Sequence, residues 1–299
     1  MHVRILGSAA GGGFPQWNCS CLTCEAARTG ARPAERRTQS SIAVRGSTGR
    51  WFLVNASPDL RQQIEFLTSE RNGGLRATPF AAVLLTDAEI DHTAGLLLLR
   101  ESSVPIQVYS SDAVRGALTD GYPVLRMLEL YCGIGWSPLE PGVRIPLPGS
   151  SLDVEAFSTG GDAPLYLDDG AEAPEAFGLT FRDAESDGVL TYAPGLARLD
   201  EAILSRLDAS DCVLVDGTFW RDDEMIALGI GSRTARDMGH VPLDGEDGSL
   251  AALGRVRART ILVHVNNTNP ILLDDSPERA AVGASGVEVG RDGMEIELG

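Results

Sequence analysis

Lysine is missing altogether: each of the 25 basic side chains in this 299-residue sequence is an arginine. The absence removes any chemistry that depends on a Schiff-base lysine or a phosphate-loop lysine. Positive charge is scarce as well. Against 42 acidic residues the net charge is −17, so neither DNA nor RNA is expected as a partner, because phosphate binding draws on basic surface. No apolar run approaches the roughly 18 residues that span a bilayer, and no membrane association is expected. Residues 1–7 lack the long apolar core and small-residue cleavage site of a signal peptide, which points to the cytoplasm. Histidine occurs four times, at His2, His92, His240 and His264, and cysteine five times, at Cys19, Cys21, Cys24, Cys132 and Cys212. An odd cysteine count in a chain expected in the cytoplasm speaks against a disulfide framework.

What is present is ordinary globular material. Hydrophobic residues make up 43% and charged residues 22%, enough for one large core. There is no repeat, low-complexity tract or linker, so residues 1–299 read as a single domain. Short apolar runs rich in β-branched residues predict strands at 2–6, 41–45, 51–55, 81–85, 106–109, 152–157, 179–183, 189–193, 212–216, 260–265, 286–289 and 294–298. Hairpins are expected between 41–45 and 51–55, between 179–183 and 189–193, and between the two final segments. Helices are expected over 58–66, 94–101, 112–131 (broken at 121–123) and 200–207. Runs of strands with helices between them, in both halves, suggest an α+β fold in four layers. The arrangement would be an αββα sandwich of two packed mixed sheets flanked by helices.

Three thiols crowd into Cys19-Ser20-Cys21-Leu22-Thr23-Cys24 directly after a glycine-rich turn. This C-x-C-x-x-C spacing can aim three sulfurs at one centre, which suits tetrahedral, structural zinc. A fourth ligand must come from elsewhere. His240, in the glycine- and proline-punctuated Asp237-Met238-Gly239-His240-Val241-Pro242, is the choice; Cys212 is less attractive because it opens a strand that reads as buried. A redox role lacks a basic neighbour to lower a thiol pKa. Iron–sulfur ligation stays open as the alternative and would show as colour.

The segment Thr86-Asp87-Ala88-Glu89-Ile90-Asp91-His92-Thr93-Ala94-Gly95 follows a buried strand with alternating acidic groups. It resembles the metallo-β-lactamase superfamily, whose loop reads H-x-H-x-D-H before a small-residue helix start. Asp91 and His92 keep the last two positions, whereas Asp87 and Glu89 replace the first two histidines. The family's three-nitrogen site is therefore ruled out in its usual form, since no histidine lies between His92 and His240. The second site can be completed by Asp91, His92 and His264, the last ending the apolar run 261–263. The resemblance places the family's bridging aspartate on Asp216, which ends another apolar strand. Taken singly, each of these residues reads as a core histidine or a solvated carboxylate; their chain order favours metal. Two histidines and one carboxylate with open positions is the arrangement of non-haem Fe(II) oxygenases. Binuclear hydrolysis needs two ions about 3.5–4 Å apart. Asp87 and Glu89 are left to hold a hard ion, move protons or bind a polar substrate. His2 has no such context.

Further segments sharpen the resemblance: residues 6–19, 55–63 and 86–95, Met238-Gly239-His240-Val241-Pro242, and His264-Val265-Asn266-Asn267-Thr268-Asn269-Pro270. Together they resemble the family of coenzyme PQQ synthesis protein B, essentially end to end. The resemblance implies structural zinc on Cys19, Cys21, Cys24 and His240. It also implies a role in building pyrroloquinoline quinone (PQQ), by iron- and oxygen-dependent hydroxylation of the tyrosine ring of a Glu-Tyr-derived intermediate. In that reading Fe(II) is held by Asp91, His92 and His264, with Asp216 as a further or second-shell ligand. Asp87 and Glu89 orient substrate or move protons, and Asn266, Asn267 and Thr268 bind its amino-acid end. The expected partners are the dipeptide-derived PQQ precursor, a small molecule, and dioxygen; a homodimer is among the assemblies left open. Two other functions compete: a non-catalytic carrier of the finished quinone, and a metal-dependent phosphodiesterase. A phosphonate-pathway relative of the latter kind shares the three-cysteine loop but should retain the histidines missing here.

Overall fold

The computed structural model describes residues 1–70, 76–161, 163–167 and 175–299. Among them, the first half of the chain supplies strands β1 (His2–Gly7), β2 (Ser41–Arg45), β3 (Trp51–Val54), β4 (Phe80–Leu84), β5 (Ile106–Ser110) and β6 (Ile134–Pro138). The second half supplies β7 (Arg144–Pro146), β8 (Leu152–Gly160), β9 (Ala176–Asp183), β10 (Val189–Ala193), β11 (Cys212–Asp216), β12 (Arg259–Val263) and β13 (Glu288–Val289). A last strand, β14 (Glu295–Glu297), returns to the first half. Two mixed seven-stranded sheets result, in the orders β14-β1-β2-β3-β4-β5-β6 and β13-β12-β11-β10-β9-β8-β7.

The two sheets are built alike. In each, one side is antiparallel and the other parallel, with the change falling at β3 in one and at β10 in the other. Ligands in α/β sheets gather beyond the carboxyl ends of parallel strands, near such a change of direction. Those ends, after β4, β11 and β12, carry the residues of interest.

Three apolar layers hold the sheets. Between them lie Val3, Ile5, Ile42, Phe52, Val54 and Leu84 from one sheet and Val154, Leu179, Phe181, Leu190, Tyr192, Leu214 and Ile261 from the other. Each fully buried large side chain contributes about 1.5–3 kcal/mol. Tyr192 is buried completely because its hydroxyl meets Ser40 Oγ at 3.0 Å. Outside the first sheet a second layer joins Leu53, Val83 and Val108 to Leu96, Leu118, Leu125 and Leu128. Outside the second sheet a third joins Val213, Val215 and Leu262 to Ile203, Leu207, Leu253 and Val282. The helices, in chain order, are α1 (Leu22–Thr29), α2 (Leu60–Gln63), α3 (Ile90–Thr93), α4 (Asp112–Gly116), α5 (Val124–Tyr131), α6 (Glu201–Asp208), α7 (Glu224–Ala227), α8 (Leu250–Leu253) and α9 (Pro277–Ala284). The expected αββα sandwich is what forms.

Several local expectations need correction. The two final strands do not form a hairpin: β13 pairs with β12 and β14 with β1, on different sheets. Asp292 draws the chain across, its carboxylate accepting from the backbone N–H and hydroxyl of both Ser8 and Thr38. The expected helix at 94–101 is a 3-10 helix (Ala94–Glu101). Leu96 and Leu99 are buried while Leu98 is exposed, a three-residue spacing that suits 3-10 geometry. The 58–66 helix shortens to α2 and continues as a 3-10 turn. The strands β6 and β7 and helices α1 and α9 went unread.

Candidate metal centre

The loop after β4 is shaped before any metal is considered. Asp87 accepts from the Glu89 N–H at 2.9 Å and from the Thr86 hydroxyl at 2.7 Å, turning the chain into α3. Ala56 N–H donates to the His92 carbonyl at 2.7 Å, and Gly95 N–H to the Ala56 carbonyl at 2.8 Å. Gly95 is required there, because a Cβ would fall 2.0 Å from the Ser57 carbonyl oxygen.

Three imidazoles converge on this loop. The Asp87 carboxylate takes the His92 Nδ1–H, at 2.7 Å from Oδ2. The Asp216 carboxylate takes the His240 Nδ1–H at 2.6 Å. His264 Nδ1 lies 2.9 Å from the Thr218 hydroxyl, which itself lies 2.6 Å from Asp216 Oδ1. A hydroxyl has one proton to give, so His264 Nδ1–H donates to Thr218 and Thr218 donates to Asp216. Each ring is therefore held by Nδ1 and turns Nε2 inward, where a metal would take its lone pair in place of a proton. Such carboxylate-backed histidines are the usual support of metal sites.

Asp91 faces these nitrogens, with Oδ2 at 3.4 Å from His264 Nε2 and 3.8 Å from His92 Nε2. The ligand atoms of Asp91, His92 and His264 lie within 4.8 Å of one another, as do those of Asp216, His240 and His264. His264 thus belongs to both sets. His240 and His264 stack at 5.4 Å between ring centroids, and His92 meets His264 edge-on at 5.2 Å. His264 holds this position with a left-handed backbone, φ 55°.

A metal fits these residues. His92 Nε2 is buried without a hydrogen-bond partner, an arrangement that costs free energy unless an ion occupies it. The electrostatics agree. Burial pushes the Asp87 and Asp91 carboxyls up, but the His92 charge together with hydrogen bonds from His92 and Thr86 to Asp87, and from His264 to Asp91, outweighs it, and both end below the usual carboxylate range. Burial likewise opposes charge on His92, yet Asp87 and Asp91 raise it to about 9. Asp216 is lowered and His240 raised against burial by their mutual contact, whereas burial leaves His264 below its ordinary value. A cation here replaces the ring protons as the positive charge the carboxylates face. Glu89 is pushed up to about 7, by burial and by Asp87 and Asp91.

The surrounding pocket, about 300 Å³, is also lined by Gly11, Phe219, Arg233, Met238 and Asn266. Sequence reasoning missed Thr218, Phe219 and Arg233. Thr218 was the most readable, since Asp216-Gly217-Thr218 closes a turn with Thr218 N–H on Asp216 Oδ1 at 2.9 Å.

Three expectations are corrected. His240 does not join the cysteines. Gly239, at φ 79°, turns the chain back, Val241 N–H donates to the Leu196 carbonyl at 2.7 Å, and His240 is drawn to Asp216 at the end of β11. Asn267 and Thr268 do not line the pocket, although Asn266 does. The turn after His264 sends Asn267 to the cysteine loop and Thr268 to the Glu224 carboxylate. Asp87 lines the pocket but spends both oxygens on His92, and so orients a ligand rather than a substrate. Asp216, expected as a further or second-shell ligand and so not among these corrections, is engaged by Leu196 N–H, Thr218 and His240 behind the rings.

The thiols of Cys19, Cys21 and Cys24 form a separate group within 4.8 Å of one another. Cys21 immediately precedes α1, Cys24 is buried in its first turn, and the Arg28 guanidinium ties α1 back to the carbonyls of Cys19 and Gln16. Three sulfurs so placed fit zinc.

The comparisons agree with this architecture. The family model described as beta-lactamase superfamily domain matches residues 50–265. Coenzyme PQQ synthesis protein B of Methylococcus capsulatus is 46% identical, and that of Azoarcus sp. 47%, each over 100% of both chains. The crystal structure of zinc-bound PqqB from Methylobacterium extorquens superposes with a TM-score of 0.90 at 41% identity, over 100% of both chains. A diphosphatase of the PhnP family, at 18% identity and TM-score 0.71 over 100% of this chain and 98% of its own, shares the fold. The chain belongs to the coenzyme PQQ synthesis protein B family, a metallo-β-lactamase-fold family of PQQ biosynthesis.

Proposed function

We propose that the chain hydroxylates the tyrosine ring of a Glu-Tyr-derived PQQ precursor, using iron(II) and dioxygen. The observation that carries this reading is the sharing of His264. With Nδ1 engaged by Thr218, His264 can donate only Nε2, and an imidazole nitrogen serves one metal. Both ligand sets draw on His264, and Asp216 is already spent behind the rings on Leu196, Thr218 and His240, so the pocket is suited to one ion on the Nε2 side. Asp91, His92 and His264 would hold it, with His240 beside them. A mixed nitrogen and carboxylate set with open positions is the environment of non-haem iron oxygenases, whereas hydrolysis by paired ions needs a second site. Bound iron(II) would supply the one-electron chemistry that brings dioxygen to reaction.

The chain's own residues supply the rest. Arg233 offers a guanidinium at the pocket wall for a substrate carboxylate, and Phe219 offers a buried aromatic face. Glu89, with its carboxyl near neutrality, is suited to move the phenol proton. The overall change is balanced by one oxygen atom entering the ring as hydroxyl and the other leaving as water. Two electrons come from an external reductant such as ascorbate.

The test is anaerobic loading with Fe(II), then exposure to dioxygen, ascorbate and a tyrosine-containing dipeptide, with His92→Ala and zinc-loaded protein alongside. The reading expects dioxygen-dependent appearance of an o-diphenol that disappears in both controls. Absence of turnover from iron-loaded protein that binds PQQ tightly would overturn it in favour of a quinone carrier.

A further inference from the structure

One buried carboxylate takes no part in either group of metal-binding side chains. Glu224, at the start of α7, accepts through Oε2 from the Trp220 N–H at 2.8 Å and the Arg221 N–H at 3.4 Å. Its other oxygen, Oε1, meets the Thr268 hydroxyl. Thr268 Oγ1 in turn lies 2.6 Å from the Asn266 carboxamide nitrogen, Nδ2. Glu224, Thr268 and Asn266 are all buried, and Asn266 lines the metal pocket.

The row has one consistent direction. A threonine hydroxyl has a single proton to give. Two acceptors lie within its reach, the Glu224 carboxylate and Met225 Sδ at 3.9 Å, and the carboxylate takes it. Thr268 can then only accept from Asn266, and an accepting oxygen selects the N–H end of the amide. The second Nδ2 proton faces Met225 Sδ at 3.7 Å. Both amide protons are thereby turned inward, and no described residue donates to Asn266 Oδ1. The backbone is pinned as well: the Asn266 N–H is on the Thr218 carbonyl and its carbonyl on the Asn269 N–H, both at 3.0 Å.

We propose that Asn266 Oδ1 is the acceptor for the substrate's α-ammonium group, and that Thr268 and Glu224 are the positioning residues that keep this oxygen facing the pocket. The inference rests on the substrate reading above and deepens it. Arg233, on the same pocket wall, offers a guanidinium to a carboxylate, so the two residues read opposite ends of an amino acid. The two ends of a carboxamide have nearly the same shape, and alone Asn266 would offer a donor or an acceptor indifferently. The buried carboxylate removes that ambiguity without touching the substrate.

The test compares two probes that differ only in the amine: the dipeptide Glu-Tyr and glutaryl-tyrosine. Binding is measured by calorimetry on zinc-loaded, full-length protein, so no turnover is needed. Wild type should bind Glu-Tyr about tenfold tighter than glutaryl-tyrosine. In Glu224→Gln the new amide keeps its oxygen on the two backbone N–H groups and turns its N–H end to Thr268. Thr268 then passes its own proton to Asn266, the carboxamide turns over, and the preference for the amine should vanish or reverse. Thr268→Val removes the hydroxyl and should bring the two affinities within about threefold, whereas Thr268→Ser should restore the preference. Circular dichroism identifies the folded variants. A role in packing alone would weaken both probes together and leave their ratio unchanged. An unchanged ratio in folded Glu224→Gln and Thr268→Val would therefore overturn the proposal. Equal binding of the two probes by wild type would also overturn it, with the hydroxylase reading left standing. If wild type bound neither probe, the substrate reading would fall and this proposal with it.

Discussion

At the residue scale, His92 depends on Asp87 more than on any other neighbour. The carboxylate fixes the ring's tautomer and leaves Nε2 turned toward Asp91. Asp87→Asn keeps the shape but weakens that hold, and metal affinity should fall about 10–100-fold with the fold intact, read by calorimetric titration with Fe(II) or Mn(II). Wild-type affinity in this variant would mean that the ring is held by packing instead. Arg233→Ala should raise KM for a carboxylate-bearing substrate about tenfold, a loss of about 1.4 kcal/mol, and leave kcat nearly unchanged. Glu89 gives a pH test. Its carboxyl titrates near 7 in the folded chain, above the unfolded value, so the native state binds the extra proton. Its stabilising contribution is full below the unfolded value and is lost as pH rises through about 7. The thermal midpoint of metal-free protein should therefore decline across that window, and Glu89→Gln should flatten the decline. The residues legible in the sequence were those marked by a local pattern: Asp91-His92 after a strand, and Asp216 and His264 at strand ends. His240 and Asn267 were misplaced because their partners lie far along the chain, and no local spacing reports which of two loops a side chain will meet.

Elements transmit these placements. Asp200 caps α6 by accepting from Ile203 N–H at 2.9 Å, which chiefly holds its carboxyl below the usual range. Asp200→Ala should cost about 1 kcal/mol in urea denaturation at neutral pH. Because the folded value is depressed, the contribution is present above the unfolded value and fades as pH falls through the folded one. The cost should shrink in acid, and a cost that persisted there would point to packing. Gly95→Ala should be far worse than its size suggests. The added carbon meets the Ser57 carbonyl oxygen, and relief must displace the turn that carries His92. A loss of about 3 kcal/mol, with weakened metal binding, is expected from calorimetry. Strands with alternating or β-branched apolar runs were legible, as were both interior hairpins. The run 94–101 was read as an α-helix because periodicities of three and of three to four are hard to separate over eight residues.

For the whole molecule, the centre lies on the seam between halves. Asp91 and His92 lie in α3, reached by the loop after β4 in one sheet, while Asp216 ends β11 and His264 follows β12 in the other. An ion bound there contacts both sheets and binds only the closed pair. At one hundred times its Kd it should add about 2.7 kcal/mol to stability. The rise in thermal midpoint with metal should vanish in His264→Ala; a rise of equal size in that variant would place the ion elsewhere. The four-layer architecture was legible because strands and helices alternate in both halves. The crossing of the chain between sheets at Asp292 was not, since it rests on hydrogen bonds to Ser8 and Thr38 nearly a whole chain away. A divided centre also sets a timetable. A ribosome adding about 5–20 residues per second needs on the order of ten to thirty seconds between translating His92 and translating His264. Throughout that interval the nascent chain carries half a coordination sphere, so iron or zinc can be captured tightly only once synthesis has passed the second half.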